Sequence, residues 1–398
     1  MNLPHIIKVT HINYYNGVGG AYKAMHRVHT FFKSKNTVES IVVTNDNVEL
    51  ESNSIMWKMI KKFERVILRL NGFNRLSPFS YYIFYDKRVL QCIDFTKVDI
   101  LHLHWVGNGM VPFEKLNFID KPLFISLHDF FPITGGCHLL GDCDGYKDGC
   151  KSCPLLFKSS SLARRALANK IASLKELNVT FICPSKWVAE VLKESYLYRA
   201  LNPKLIVIPN MLDDDYNKDR SVLKSKIKKL KPAICYGAVG ASTDKNKGFF
   251  RILPILERLS KSVDFQLIVF GDFGLSTILN NTSIDFVNHG HVSELELKKI
   301  YVNVDLTIVP SYQETFGQVA LESIAMGTPV ICFKGTGLDD IVLDGVNGFV
   351  CTDDDPEEIL TRIKYCLEND FPYDSMSQSI EKFKSSSVGE NLLEAYFD

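Results

Sequence analysis

Short apolar runs bounded by glycine, proline and asparagine recur along the chain. Between them, apolar residues return every three or four positions. In the carboxyl half AICYG (233–237), QLIVFG (266–271), IDFVNHG (284–290), DLTIVP (305–310) and TPVICF (328–333) read as strands. The intervening pattern predicts helices from Gly248 to about Ser260, from Ser293 to Tyr301 and over about 317–326. Strands that are apolar without alternation and are spaced by helices belong to a parallel sheet covered on both faces.

The amino half repeats this less regularly. HIIKVTHI (5–12), SIVVTN (40–45), DILHLHW (99–105), LFISLHD (123–129), VTFICPS (179–185) and KLIVIPN (204–210) read as strands, with a helix over Ala21–Lys33. The polar stretch 210–232 reads as a linker. The expectation is an α/β chain of two doubly wound Rossmann-like domains facing a central cleft, residues 1–210 and 211–375. A last helical segment, 376–398, is expected to pack back toward the first domain. Ligands in such sheets sit beyond the carboxyl ends of the strands.

The 398 residues carry 46 basic and 46 acidic side chains, so the formal net charge is zero. That excludes a generally basic nucleic-acid binder, and no nucleic acid is expected as a partner. The balance is uneven. Residues 1–210 hold 27 basic and 17 acidic groups, and residues 211–398 hold 19 and 29. No run of 18 or more apolar residues appears, and the start lacks the pattern of a secretory signal. The chain reads as cytosolic.

Three loops offer phosphate chemistry. In PSYQETFGQVALESIAMGTPV (310–330), Glu314 follows a strand, Gly317 opens a helix and Glu322 lies on it. Free N–H groups at a helix start favour an anion. Carboxylates near such a site suit sugar hydroxyls, from which they accept hydrogen bonds. In YGAVGASTDKNKGFF (236–250), Lys247–Gly248 opens a helix, where a lysine can neutralise a departing diphosphate. In YYNGVGGAYKAMHR (14–27), Gly19 and Gly20 permit close backbone approach, without the G-x-G-x-x-G fingerprint.

ETFGQVALE, with Lys247–Gly248 and Gly290–His291 upstream, resembles the signature of retaining nucleotide-sugar glycosyltransferases of the GT-B fold, the E-x7-E or group 1 type. GVGGAYKAMHR, DILHLHWVGNG, SLHDFFPITGGCHLL and ICPSKWVAEV resemble the branch that builds bacterial capsule, O-antigen and exopolysaccharide. The resemblance spans nearly the whole chain. It implies transfer of a hexose-type sugar from a UDP- or GDP-sugar to a lipid-linked glycan acceptor, with retention and without a catalytic divalent metal. It also implies a peripheral place on the inner face of the plasma membrane.

By the same resemblance, Glu314 contacts the donor sugar and Glu322 the ribose. Lys247 and the amides of Phe316 and Gly317 hold the diphosphate, approached by Gly19 and Gly20. Gly290, His291 and Val292 match the stretch that reads the base, and His128 matches a histidine near the donor sugar. His104 and Asn108 are placed toward the acceptor. One position departs from the pattern: an arginine often stands six residues before the motif lysine, and here that residue is Ala241, with Lys245 nearby. That departure favours a non-catalytic scaffold as the other reading. A nucleotide-sugar 2-epimerase shares the fold, and the E-x7-E block speaks against it.

Two features lie outside this scheme. Cys137, Cys143, Cys150 and Cys153 form C-x5-C-x6-C-x2-C within CHLLGDCDGYKDGCKSCP, a spacing that suits a closed structural zinc. Residues 55–76 place Met56, Met59, Ile60, Phe63, Val66, Ile67 and Leu70 on one helical stripe. Lys58, Lys61, Lys62, Arg65, Arg69 and Arg75 stand against the single acid Glu64. A basic amphipathic helix with Trp57 suits a membrane interface; packing on its own domain is the other reading.

Overall fold

The computed structural model describes residues 6–17, 19–45, 55–73, 78–81, 87–113, 116, 119–216, 220, 231–352 and 355–397, with only the backbone of 55–58 and 87–88. The chain divides into two compact units, one of residues 1–209 with 389–398 and one of residues 210–388.

The first unit is a six-stranded parallel sheet in the order β2-β1-β3-β4-β5-β6. Its strands are β1 (Ile7–Asn13), β2 (Val38–Thr44), β3 (Ile100–Leu103), β4 (Leu123–Ser126), β5 (Val179–Cys183) and β6 (Lys204–Val207). Its helices are α1 (Gly20–Lys33), α2 (Ile55–Leu70), α3 (Lys87–Gln91), α4 (Ser161–Leu174), α5 (Lys186–Glu194) and α6 (Tyr196–Leu201). Every residue of β3, β4 and β5 is buried, which is why these strands show no alternation in sequence. Ser185 starts α5 by accepting from the Val188 N–H, and Asn202 ends α6 in the left-handed conformation. Strands β3 to β6 stop two or three residues before the sequence pattern does, so His104, Trp105, His128 and Asp129 lie in loops at the carboxyl edge.

The second unit is a six-stranded parallel sheet in the order β12-β11-β10-β7-β8-β9. Its strands are β7 (Ala233–Gly237), β8 (Gln266–Phe270), β9 (Asp285–Asn288), β10 (Leu306–Val309), β11 (Val330–Phe333) and β12 (Gly348–Cys351). Its two faces carry separate cores: Ile234 and Tyr236 pack with Phe249, Ile252 and Leu256, while Cys235 packs with Tyr301, Leu321 and Ile324. The alternation hidden by an all-apolar strand is thereby resolved. Strand β12 and the helix Pro356–Glu368, capped by Asp355, are additions to the expected elements.

Residues 210–216 correct the linker reading. Leu212 is buried, its N–H donates to Phe383 O at 2.7 Å, and Tyr216 is fully buried beneath the Lys298 ammonium, 4.3 Å from its ring centre. Three aspartates in a row mark the segment as polar, but its apolar residues are spaced to face inward. Residues 217–219 and 221–230 of the predicted linker lie outside the described residues. The helix Ser385–Phe397 carries the chain from the second unit back into the first, where Tyr396 is buried.

The order of each sheet reverses once, between β1 and β3 and between β7 and β10. The loops at those switch points are where a doubly wound sheet leaves room for a ligand.

Candidate functional site

At the β7/β10 switch point, two loops are tied together. The Asn246 side chain donates to Gln313 O at 2.9 Å and accepts from Gln313 N at 3.0 Å. Tyr312 N donates to Asn246 O at 2.9 Å. Gly248, at φ 68°, then caps the helix Phe249–Leu259 so closely that a β-carbon would stand 1.9 Å from Pro310 O. Lys247 and Glu314 emerge side by side from this clamp, Nζ 3.6 Å from Oε2, both partly exposed. That separation is an ion pair without a close hydrogen bond, so the ammonium keeps donors for another anion.

Gly317 caps the helix Gln318–Ala325 at φ 113°, with a virtual β-carbon 2.3 Å from Leu338 Cδ2. The first N–H groups of that helix have no intrahelical acceptor. Phe316 is buried edge-on to Phe383, so only its backbone is available to a ligand. Glu322 is buried in the same helix, in contrast to Glu314. Ala241 is buried at 1 % in the apolar core, and the neighbouring cation Lys245 is exposed. Arg251, one turn beyond Lys247, stacks 3.5 Å over the Phe333 ring and donates to Pro310 O, which makes it a structural cation. Gly290 accepts Gly271 N at 2.6 Å and lies under the Phe273 ring, where no side chain fits. His291 is exposed against the edge of Phe273, and Val292 packs inward.

In the first unit, a file of imidazoles runs across the β1/β3 switch point. His11 Nδ1 lies 3.1 Å from His104 Nε2, and His104 Nδ1 lies 3.0 Å from His128 Nε2. His102 is fixed by Tyr396 OH at 2.6 Å and Ser126 Oγ at 2.8 Å. His104 is buried within this file, whereas Asn108 is exposed in a left-handed turn. Burial lowers His128 to about 4, against the pull of Asp129, and lowers His11 to about 3, with His29 adding to the shift. Burial pushes His102 and His104 well down, with His11 and His128 adding to both shifts and His102 adding to that of His104. The file is therefore neutral, with each ring donating in one direction along it.

Among the described residues, His11, His102 and His104 are the group of three whose ligand atoms lie within 4.8 Å of one another. Both nitrogens of His102 already have partners and His11 is bonded to His104, so the chemistry here is hydrogen bonding rather than ligation. Beside the file, Asp129 accepts from Trp105 Nε1 and from His138 Nδ1, the latter at 2.6 Å. Trp105 stacks on Tyr15 and His138. Asn246, His11, Trp105 and His138 are site residues that sequence reasoning missed; only the strand-end position of Trp105 signals it.

Gly19 caps α1 at φ 89°. Gly20 has no positive φ, and a β-carbon at either position would meet nothing within 4 Å. Their neighbours among the described residues do not require glycine at 20.

On α2, Met59, Phe63, Val66 and Leu70 are exposed by 41–68 %, and Lys62, Arg65 and Arg69 are exposed along one side of that stripe. The buried side of the helix carries Leu68 and Glu64, the acid paired with Lys61 at 2.8 Å. The side chains of Met56, Trp57 and Lys58, and Arg75 as a whole, lie outside the described residues. No described helix is long and apolar enough to cross a membrane.

Residues 222–383 match the family model Glycosyl transferases group 1. A putative colanic acid biosynthesis glycosyl transferase, WcaC of Escherichia coli K12, is 23 % identical over 75 % of this chain and 73 % of its own length. An uncharacterized glycosyltransferase of Methanocaldococcus jannaschii, MJ1607, is 25 % identical over 73 % of this chain and 74 % of its own. Among solved structures, sucrose-phosphate synthase of Thermosynechococcus elongatus superposes with a TM-score of 0.66 at 15 % identity, covering 98 % of each chain. Anabaena Alr3699/HepE in complex with UDP and glucose superposes at 0.60 and 14 %, covering 98 % of this chain and 99 % of its own. The fold is GT-B, and within the second unit residues 222–383 are similar to glycosyl transferases group 1.

Proposed function

We propose that the chain is a retaining glycosyltransferase that moves a hexose from a nucleoside diphosphate sugar to a lipid-linked glycan during surface polysaccharide assembly. The observation that carries this reading is the clamp of Asn246 on Gln313, which sets Lys247 beside Glu314 next to the Gly317 helix start. A cation, a helix N-terminus and a carboxylate at one switch point suit a ligand that is anionic at one end and hydroxylated at the other. The Anabaena neighbour's complex with UDP-glucose supports a donor of that class.

In this reading the bond from the anomeric carbon to the diphosphate oxygen breaks, and Lys247 with the amides of Phe316 and Gly317 takes up the developing charge. Glu314 faces the sugar and Glu322 the ribose; Gly290, His291 and Val292 flank the base, and His128 lies near the sugar. The acceptor hydroxyl forms the new bond and gives its proton to the departing phosphate. No catalytic divalent metal is part of this scheme. The exposed apolar stripe of α2, bordered by Lys62, Arg65 and Arg69, supports contact with an anionic membrane face where a lipid-linked acceptor resides.

The test is donor turnover. UDP- and GDP-hexoses incubated with the wild-type chain should release nucleoside diphosphate slowly without an acceptor. Glu314→Ala and Lys247→Ala should each abolish that release while leaving the melting transition in place. Turnover equal to wild type in both variants would overturn the reading.

A further inference from the structure

Residues 134–156, between β4 and α4, contain no strand and no α-helix, only a short 3-10 turn at Gly145–Lys147. A loop of that length inside a compact domain is usually functional. Cys137, Cys143, Cys150 and Cys153 line one small cavity with Thr134 and Tyr146, of about 20 Å³. That is room for one water or one small ion.

The backbone is shaped toward those sulfurs. Gly135 N donates to Cys150 Sγ at 3.3 Å, and Gly145 N donates to Cys143 Sγ at 3.3 Å. The amides of Leu155 and Leu156 face the sulfur of Cys153. N–H groups aimed at sulfur supply the outer hydrogen bonds that a metal-bound sulfur accepts. Cys150 holds φ 56°, a left-handed conformation that a non-glycine residue adopts only when its surroundings fix it. None of the four is in a disulfide.

We propose that Cys137, Cys143, Cys150 and Cys153 bind one zinc ion as a closed tetrathiolate site that holds the loop in register. Four thiols release four protons and take up one Zn²⁺, leaving a site of net charge −2; the Lys170 ammonium, bound to the carbonyls of Phe131 and Thr134, stands at the same wall. Zn–S bonds of about 2.3 Å place tetrahedral sulfurs about 3.8 Å apart. No three of these sulfurs are within 4.8 Å of one another here, so ligation draws the loop inward. With four sulfur ligands the ion has no open position and its role is structural. Its reach is longer than the loop, because His138 follows Cys137 directly and pins both Asp129 and Ser80.

The test uses the full chain purified under reducing conditions without added metal. Elemental analysis should find one zinc per chain. The four thiols should react with a thiol reagent only as zinc is released, and cobalt exchange should give the visible bands of a tetrahedral thiolate site. Cys153→Ser should lose the metal, whereas Cys92→Ser, at an exposed thiol outside the loop, should keep it. Substoichiometric zinc in the wild-type chain, with all four thiols reacting freely, overturns the proposal even if Cys153→Ser fails to fold. Neither readout depends on transferase activity.

Discussion

Asn246 and Gln313 pair as two strand residues would, one through its side chain and the other through its backbone, with bonds of 2.9 and 3.0 Å. Lys247 and Glu314 are the next residues along each loop, so their juxtaposition is set by this pair. Asn246→Ala should lower donor kcat/KM about tenfold, the effect of losing roughly 1–2 kcal/mol of positioning hydrogen bonds. Asn246→Asp keeps the acceptor and loses the donor, and it should fall between wild type and alanine in stability. Chemical denaturation and initial rates separate the two effects.

Two glycines of the same loop should respond differently. Gly240 has φ 70° with open space around it, and alanine there costs about 1–2 kcal/mol of backbone strain. Gly248 has φ 68° and the Pro310 carbonyl 1.9 Å from any β-carbon, so alanine there should cost about 3 kcal/mol or more. Equal losses in the denaturation midpoint for the two variants would contradict the packing described.

Gly20 separates binding from folding. Its helical φ and empty surroundings mean that Gly20→Ala should leave stability unchanged or raise it by up to about 1 kcal/mol. If the donor phosphates come against this backbone, the same variant raises the donor KM severalfold. A stabilised protein with wild-type KM would remove Gly20 from the donor site.

Acid should weaken the first unit. His11 and His128 titrate at about 3 and about 4 in the folded chain, and burial pushes His102 and His104 well down, against about 6.5 unfolded. Above the unfolded value both states are neutral and nothing is lost. As pH falls below it the unfolded chain binds protons first, so stability drops by about 1 kcal/mol per histidine between pH 6.5 and 5.5, and goes on falling toward pH 4. Urea midpoints at those two pH values should differ accordingly; a flat profile would mean that the file titrates normally.

The exposed stripe of α2 gives a surface prediction. Replacing Lys62, Arg65 and Arg69 together with Gln should release the protein from vesicles containing anionic lipid, by about 1 kcal/mol per charge. The same variant should keep its melting temperature, since all three are exposed. Retained sedimentation with anionic vesicles would assign the stripe to another partner.

The sheets were legible because buried parallel strands are apolar at every position, and runs such as AICYG and VTFIC need no context to be recognised. Glu314, Gly317 and Lys247 were legible as a motif. The imidazole file was not, because His11, His104 and His128 come from three chain segments that only strand pairing brings together. Asn246 was hidden for the same reason: its partner lies 67 residues away and is a backbone group, which leaves no trace in residue type. Residues 210–216 misled because exposed Asp214 and Asp215 outweigh, by composition, the buried Leu212 and Tyr216.

The bond between Tyr396 and His102 spans 294 residues. A ribosome therefore delivers the first sheet long before it delivers the tyrosine that closes it. Until the final turn of the helix Ser385–Phe397 emerges, the nascent first unit has an imidazole nitrogen with no partner and an open site where Tyr396 will pack against Phe32 and Phe124. The packing of the first unit is thus completed by the last helix of the chain. A chain stopped before that helix should therefore hold a less stable amino unit than the full chain.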